Sequence, residues 1–228
     1  HDGIASNLAS VKGLGQPYSL KANPPIAVFA DSQIISESPY RFTASGCGDV
    51  ISKAVSVRDW RLAHEKKNDY YGEYAGNLAL LGSDIIMRNV EKIRDRTEDG
   101  YRTLLEALVS CGVSMSIAGS SRPCSGSAHL ISHALDMIAP GAALHGEQCG
   151  IGTIMMAKLH GLEWEKIRGN LTTLGAPTSA EELGIDGETL VKAIVKAGTI
   201  RPKRYTILNE TKLTRKSARK LAESCGLV

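Results

Sequence analysis

The chain has 228 residues, 27 basic and 24 acidic, for a formal net charge of +3, and only 5% of its residues are aromatic. That balance, with no basic run interleaved with aromatics, argues against nucleic acid as a partner. No apolar run reaches the ~18 residues a membrane span needs, and an odd set of five cysteines without C-x-x-C spacing excludes both a disulfide framework and a cysteine-built zinc site.

The chain opens on HDGIAS without an initiating Met and without a signal-peptide pattern, so further residues are expected before His1. A short strand pair is expected around Tyr18–Lys21. IAVFA (26–30) reads as a buried strand, and QII (33–35) starts a helix or a second strand. From about residue 44 helical spacing takes over. DVISKAVSVRDWRLAHEK (49–66) reads as one helix with Gly46 and Gly48 at its entrance, and 70–95 as a second. A third, 97–117, follows Thr97 as cap. SGSAHLISHALDMIA (125–139), stopped by Pro140-Gly141, and 145–162 are the next two. Shorter helices are expected near 164–174, 179–183, 187–198 and 214–224, the last capped by Gly226. The fold class is therefore mainly α with a small α/β part. Residues 1–40 form a small mixed part and 41–228 an all-helical one.

The chemistry-bearing residues cluster in the helical part. His129 and His145 lie on successive helices, and Asp49 lies upstream beside two glycines. Two imidazoles and a carboxylate suit a borderline cation such as Zn²⁺, with a fourth position left open for water or substrate. His129 also shares a helix face with His133, four residues on, so a chelate from that pair is an alternative. Three inward histidines without a partner are costly, which favours a site over a plain core. Asp49 has a simpler reading as an acid at a helix N-terminus. Glu147 either orients His145 or is an ordinary first-turn acid. His64 and His160 read as core histidines bonded to backbone. Arg122, in the Gly/Ser-rich loop AGSSRPCSG, makes an anion site or is simply solvated. GCG (46–48) and CGIG (149–152) suit close helix packing, and no phosphate-binding fingerprint is present.

Longer strings are more specific: SGCGD (45–49), DWRLAH (59–64), YYGEYA (70–75), MSIAGSSRP with SGSAHLISHAL (115–135), LHGEQ with GIGTIMMA (144–157) and LGAPTSAEELGI (174–185). On these the chain resembles the archaeal sn-glycerol-1-phosphate dehydrogenases. They belong to the dehydroquinate synthase-like group, with glycerol dehydrogenases and iron-containing alcohol dehydrogenases. The resemblance implies a Rossmann-like nucleotide domain, of which 1–40 is the last piece, joined to a helical metal domain. About the first hundred residues of a family member would precede His1. It implies metal ligation by Asp49, His129 and His145, a proton or phosphate role for His133, a phosphate contact for Arg122 and a substrate-hydroxyl contact for Asp2. Zn²⁺ (or Ni²⁺ or Fe²⁺) and NADPH or NADH are the implied cofactors, and the main NAD(P)H determinants fall before residue 1. The implied reaction reduces dihydroxyacetone phosphate to sn-glycerol 1-phosphate, the backbone of archaeal membrane lipids. The setting is the cytoplasm, the substrate is a phosphorylated small molecule, and exposed helical faces suit a homo-oligomer. Two alternatives stand beside it: glycerol dehydrogenase or dehydroquinate synthase of the same group, and a non-catalytic, metal-stapled helical module.

Overall fold

The computed structural model describes residues 2–11 and 18–228, apart from the side chains of residues 2, 10, 11, 18 and 19. A 3-10 turn, Asp2–Ala5, leads into β1 (Leu8–Val11), which pairs antiparallel with β2 (Tyr18–Lys21) in the register Leu8 opposite Lys21. Among the described residues this pair is the whole sheet. The mainly helical fold class follows directly.

Residues 26–30 depart from expectation. They form no strand, and Ile26 and Phe29 are fully exposed. An apolar run becomes a strand only where a neighbour takes up its ladder hydrogen bonds, and no described strand lies alongside. Asp31 then starts the helical run. Its carboxylate accepts from the N–H groups of Gln33 at 2.8 Å and Ile34 at 3.3 Å, capping α1 (Ser32–Glu37).

The expected single helix at 49–66 is two. α2 (Tyr40–Ile51) contains Gly46 and Gly48 in its interior, and α3 (Lys53–Lys67) begins after a break at Ser52. The expected helix at 70–95 likewise divides into α4 (Glu73–Arg88) and α5 (Val90–Arg94). α6 (Glu98–Ala118) starts where Thr97 Oγ1 accepts from Gly100 N–H at 3.0 Å, so half of the capping box forms without its glutamate. α7 (Ser127–Ile138), α8 (His145–Leu159), α9 (Trp164–Thr173), α10 (Gly187–Ile200) and α12 (Arg215–Ser224) fall close to expectation. α11 (Ile207–Thr211) is a short additional helix. The helix expected at 179–183 is only a turn. Glu182 folds back to accept from Thr178 N–H, and Gly184 at φ 81° ends the segment.

α8 is the centre of the core. Every residue from Gly146 to Ala157 is buried. A helix apolar on all sides must be enclosed, and α2, α7 and α9 enclose this one. The Met155–Met156 pair is core, fully buried with Ile151 and Ile154. Removing each such side chain from water contributes about 1.5–3 kcal/mol.

Candidate metal centre

α2 and α8 touch backbone to backbone. A Cβ on Gly48 would collide with the carbonyl oxygen of Gly146, and one on Gly146 would collide with that of Ser45. Glycine at both positions therefore sets the helix separation. This contact brings Asp49, in the last turn of α2, beside His145, the first residue of α8. Asp49 is not an acid at a helix N-terminus. It is buried near a helix C-terminus, where the macrodipole disfavours a carboxylate.

His129 comes from α7. Its Nε2 is 3.4 Å from Asp49 Oδ1, and its ring centroid is 5.2 Å from that of His145. Ligand atoms bound tetrahedrally to one cation at about 2 Å lie about 3.3 Å apart, so the Asp49–His129 spacing suits a shared ion. One ligand atom from each of Asp49, His129, His145 and Cys149 lies within 4.8 Å of the others. His129 Nδ1 is buried with no hydrogen-bond partner among the described residues. The donor set is one carboxylate, two imidazoles and a nearby thiol, and it fits Zn²⁺ or a related divalent ion.

The surroundings tune these groups. Burial pushes the Asp49 carboxyl up, but the Lys53 ammonium 2.6 Å away and the His129 hydrogen bond hold it well below the usual carboxylate range. Burial, then Lys53, pushes His129 down to about 3, so its imidazole is neutral and keeps the lone pair a metal ligand requires. His145 is oriented from α7. Ser132 Oγ donates to Gln148 Oε1 at 2.6 Å and lies 3.0 Å from His145 Nδ1. A hydroxyl whose proton is committed to Gln148 accepts from Nδ1–H, and that tautomer turns the Nε2 lone pair toward the cluster. His133, one turn beyond His129 and buried, stacks on His145 with centroids 6.4 Å apart.

The other candidates fall elsewhere. Arg122 donates to the Tyr205 carbonyl at 2.9 Å and pairs with Asp69. Beside it, burial followed by repulsion from Arg201 and Arg122 pushes Arg204 down to about 9. Arg204 holds the same loop, donating to Ser121 Oγ at 2.7 Å. Glu147 accepts from Leu144 N–H and from Arg41, at 2.8 Å and 2.5 Å, so it is a first-turn acid rather than a partner of His145. His64 bonds the Asp69 carbonyl as expected but is exposed rather than in the core. His160 instead bonds the side chain of Asp59. The side chain of Asp2 lies outside the described residues. Lys53, Cys149, Ser132, Gln148 and Asp59 escaped the sequence reading. The i, i+4 spacings Asp49–Lys53 and His145–Cys149 were the available signal.

The fold is shared with solved dehydrogenase structures. A family model described as iron-containing alcohol dehydrogenase matches residues 1–39. A probable glycerol dehydrogenase from Sinorhizobium meliloti superposes with a TM-score of 0.73 at 20% identity, over 98% of this chain and 68% of its own. Curated sequences match at higher identity. The chain is 54% identical, over all 228 residues, to glycerol-1-phosphate dehydrogenase [NAD(P)+] of Thermococcus kodakarensis, covering 65% of that protein. It is also 54% identical to the same-named protein of Pyrococcus furiosus, covering 66% of it. The chain is thus a homologue, along its whole length, of the glycerol-1-phosphate dehydrogenases, and it spans just under two thirds of their length.

Proposed function

We propose that the protein is an NAD(P)H-dependent, metal-assisted reductase. It converts dihydroxyacetone phosphate reversibly to sn-glycerol 1-phosphate for archaeal membrane lipid synthesis in the cytoplasm. The observation that carries this reading is the convergence of Asp49, His129 and His145, in a chain whose relatives at 54% identity are named for that activity. The absence of any disulfide among the five cysteines suits a reducing compartment. We assign residues 1–40 to the end of a nucleotide-binding domain and 41–228 to the metal and substrate domain.

Asp49, His129 and His145 would hold a divalent cation, Zn²⁺ by preference. A cation there supplies Lewis-acid polarisation of the substrate carbonyl. A nicotinamide supplies the hydride, and the protein's share is placement. His133, stacked beside His145, carries the proton to the substrate oxygen. Arg122, held on its loop by Asp69 and the Tyr205 carbonyl, meets the phosphate. Asp2 takes a substrate hydroxyl.

The test is metal analysis plus an assay of the intact protein with NADPH or NADH, comparing dihydroxyacetone phosphate with dihydroxyacetone. The phosphorylated substrate is expected to be strongly preferred, and Arg122→Ala to raise its KM on the order of tenfold or more, as loss of a charge-assisted phosphate contact does. Equal efficiency on the two substrates points to a glycerol dehydrogenase. No turnover with a four-coordinate metal points to a metal-stapled module. An unchanged KM removes Arg122 from the phosphate site.

A further inference from the structure

Asp59, on the inner face of α3, is 1% exposed and accepts four hydrogen bonds from three separate parts of the chain. Its Oδ2 takes the backbone N–H and the hydroxyl of Ser127, each at 2.6 Å. Its Oδ1 takes Ile207 N–H at 2.8 Å and His160 Nε2 at 3.0 Å. The first of these is a helix cap supplied from outside the helix. α7 begins at Ser127 behind Gly126, which provides no side-chain cap of its own. The fit is tight, since a Cβ on Gly126 would lie 2.8 Å from Ser56 Cα and would also collide with Asp59 Oδ2.

The elements that meet at Asp59 are those that carry the candidate ligands. α7 presents His129 two residues after Ser127. α8 presents His145 at its start and ends on His160. α3 follows α2 across the single residue Ser52, and α2 presents Asp49 in its last turn. Ile207 opens α11, behind the segment in which Arg204 donates to Ser125 O and the Tyr205 carbonyl accepts from Arg122. One carboxylate therefore fixes the axial position of α7 and the far end of α8 relative to the helix pair bearing Asp49. A metal site tolerates little slippage between its ligands, because each bond length is held to a few tenths of an ångström.

We propose that Asp59 is the positioning residue of the metal centre: it sets the register of the His129 and His145 helices against Asp49, and so sets metal affinity without touching the metal. The inference rests on the metal reading above. It assigns a role to a residue whose hydrogen bonds go to Ser127, Ile207 and His160 rather than to any candidate ligand, and that a purely apolar core would replace with a hydrophobe.

The test is zinc affinity by competition with a chromophoric chelator, measured on the intact protein alongside its melting temperature. Asp59→Asn is the isostere. Its amide places an NH₂ either against the Ser127 donors or against Ile207 N–H and His160, so one end of the hub loses its acceptor whichever way it turns. The expected result is zinc affinity lowered on the order of tenfold, the lower end of what outer partners of metal ligands carry. kcat falls more than KM rises, because ligand geometry changes while phosphate contacts remain. Ser127→Ala, which keeps the backbone N–H, stays within about twofold of wild type. If Asp59→Asn does not fold, His160→Ala reads the α8 end alone, with an expected loss of about threefold. A melting temperature that drops while zinc affinity stays within twofold of wild type overturns the inference and leaves Asp59 a fold residue. Failure of the wild-type protein to bind any divalent metal sinks the metal reading and the inference with it.

Discussion

Gly48 of α2 rests directly on the carbonyl of Gly146 in α8, and this contact holds Asp49 within ligand reach of His145. Both partners are backbone, so neither can rotate away from an added methyl group. Gly48→Ala and Gly146→Ala must force the helices apart, at a cost of about 1–3 kcal/mol or more for overpacking. The same displacement moves a carboxylate away from an imidazole, so metal affinity is expected to fall well beyond tenfold. Gly150→Ala is the control one turn further along α8. There a Cβ meets the Leu171 side chain at 3.4 Å and the Gly48 Cα at 3.9 Å, both ordinary contacts, and stability and metal affinity are expected to change little. Calorimetric melting with and without excess zinc checks all three. Wild-type metal affinity in the Gly146 variant would show that the helix crossing does not set the site.

Ser132 offers a second handle, through the tautomer of His145. Its hydroxyl proton goes to Gln148, and Gln148 in turn donates to Asp136 at 3.2 Å. Ser132→Ala removes the acceptor for His145 Nδ1–H and lets the imidazole sample its other tautomer. A 10- to 100-fold loss of metal affinity, about the effect of removing an outer hydrogen-bond partner, is expected with little loss of stability. Ser132→Thr keeps the hydroxyl and is expected to restore most of the affinity. Equal affinities for alanine and serine would dispose of the tautomer argument.

Cys149 tests whether the site is open. Its Sγ lies 3.5 Å from His145 Nε2, close enough to join a cation that His145 binds. A thiolate in the fourth position would close the site and leave no place for a carbonyl oxygen. The reductase reading therefore expects cobalt-substituted protein to lack a thiolate-to-cobalt charge-transfer band. It also expects Cys149→Ser to bind metal within about threefold of wild type. A strong band that disappears in the serine variant would make this a closed structural centre, and the catalytic reading would go with it.

The sequence made the helices legible because apolar residues recur at helical spacing over long stretches, and α6, α7, α8 and α10 fall within a few residues of expectation. It misread the start of the helical part. Gly46 and Gly48 look like the flexible entrance to a helix at 49, yet they lie inside α2: Gly48 permits the crossing with α8, while Gly46 faces Leu104 and Leu108 of α6. That error placed Asp49 at the wrong end of its helix. IAVFA (26–30) was misread for a related reason: composition describes what a segment prefers, while a strand needs a neighbour. The three candidate ligands were visible as residue types. Ser132, Gln148, Asp59 and His160 were not, because their partners lie 12 to 148 residues away across helix crossings that no local spacing encodes.

Tyr40 supplies a prediction independent of the site. Its phenolic oxygen is buried without a hydrogen-bond partner among the described residues, while Arg96 lies over the ring at 4.8 Å. A stranded hydroxyl costs about 1–3 kcal/mol of desolvation, and the cation–ring contact survives in phenylalanine. Tyr40→Phe is therefore expected to be neutral or stabilising by up to about 1 kcal/mol, a rise in Tm of about 2–4 °C for a chain of this size. The hydroxyl also carries a pH signature. Burial pushes its pKa up to about 12 from an ordinary 10.0, so the folded protein favours the neutral phenol. The unfolded chain releases this proton first as pH rises past 10.0, so wild-type stability declines from there until the folded form ionises near 12. The phenylalanine variant lacks that component, and its advantage over wild type should widen across the same interval in paired denaturant melts. A Tyr40→Phe protein less stable than wild type by more than about 1 kcal/mol would mean the hydroxyl makes a worthwhile hydrogen bond after all.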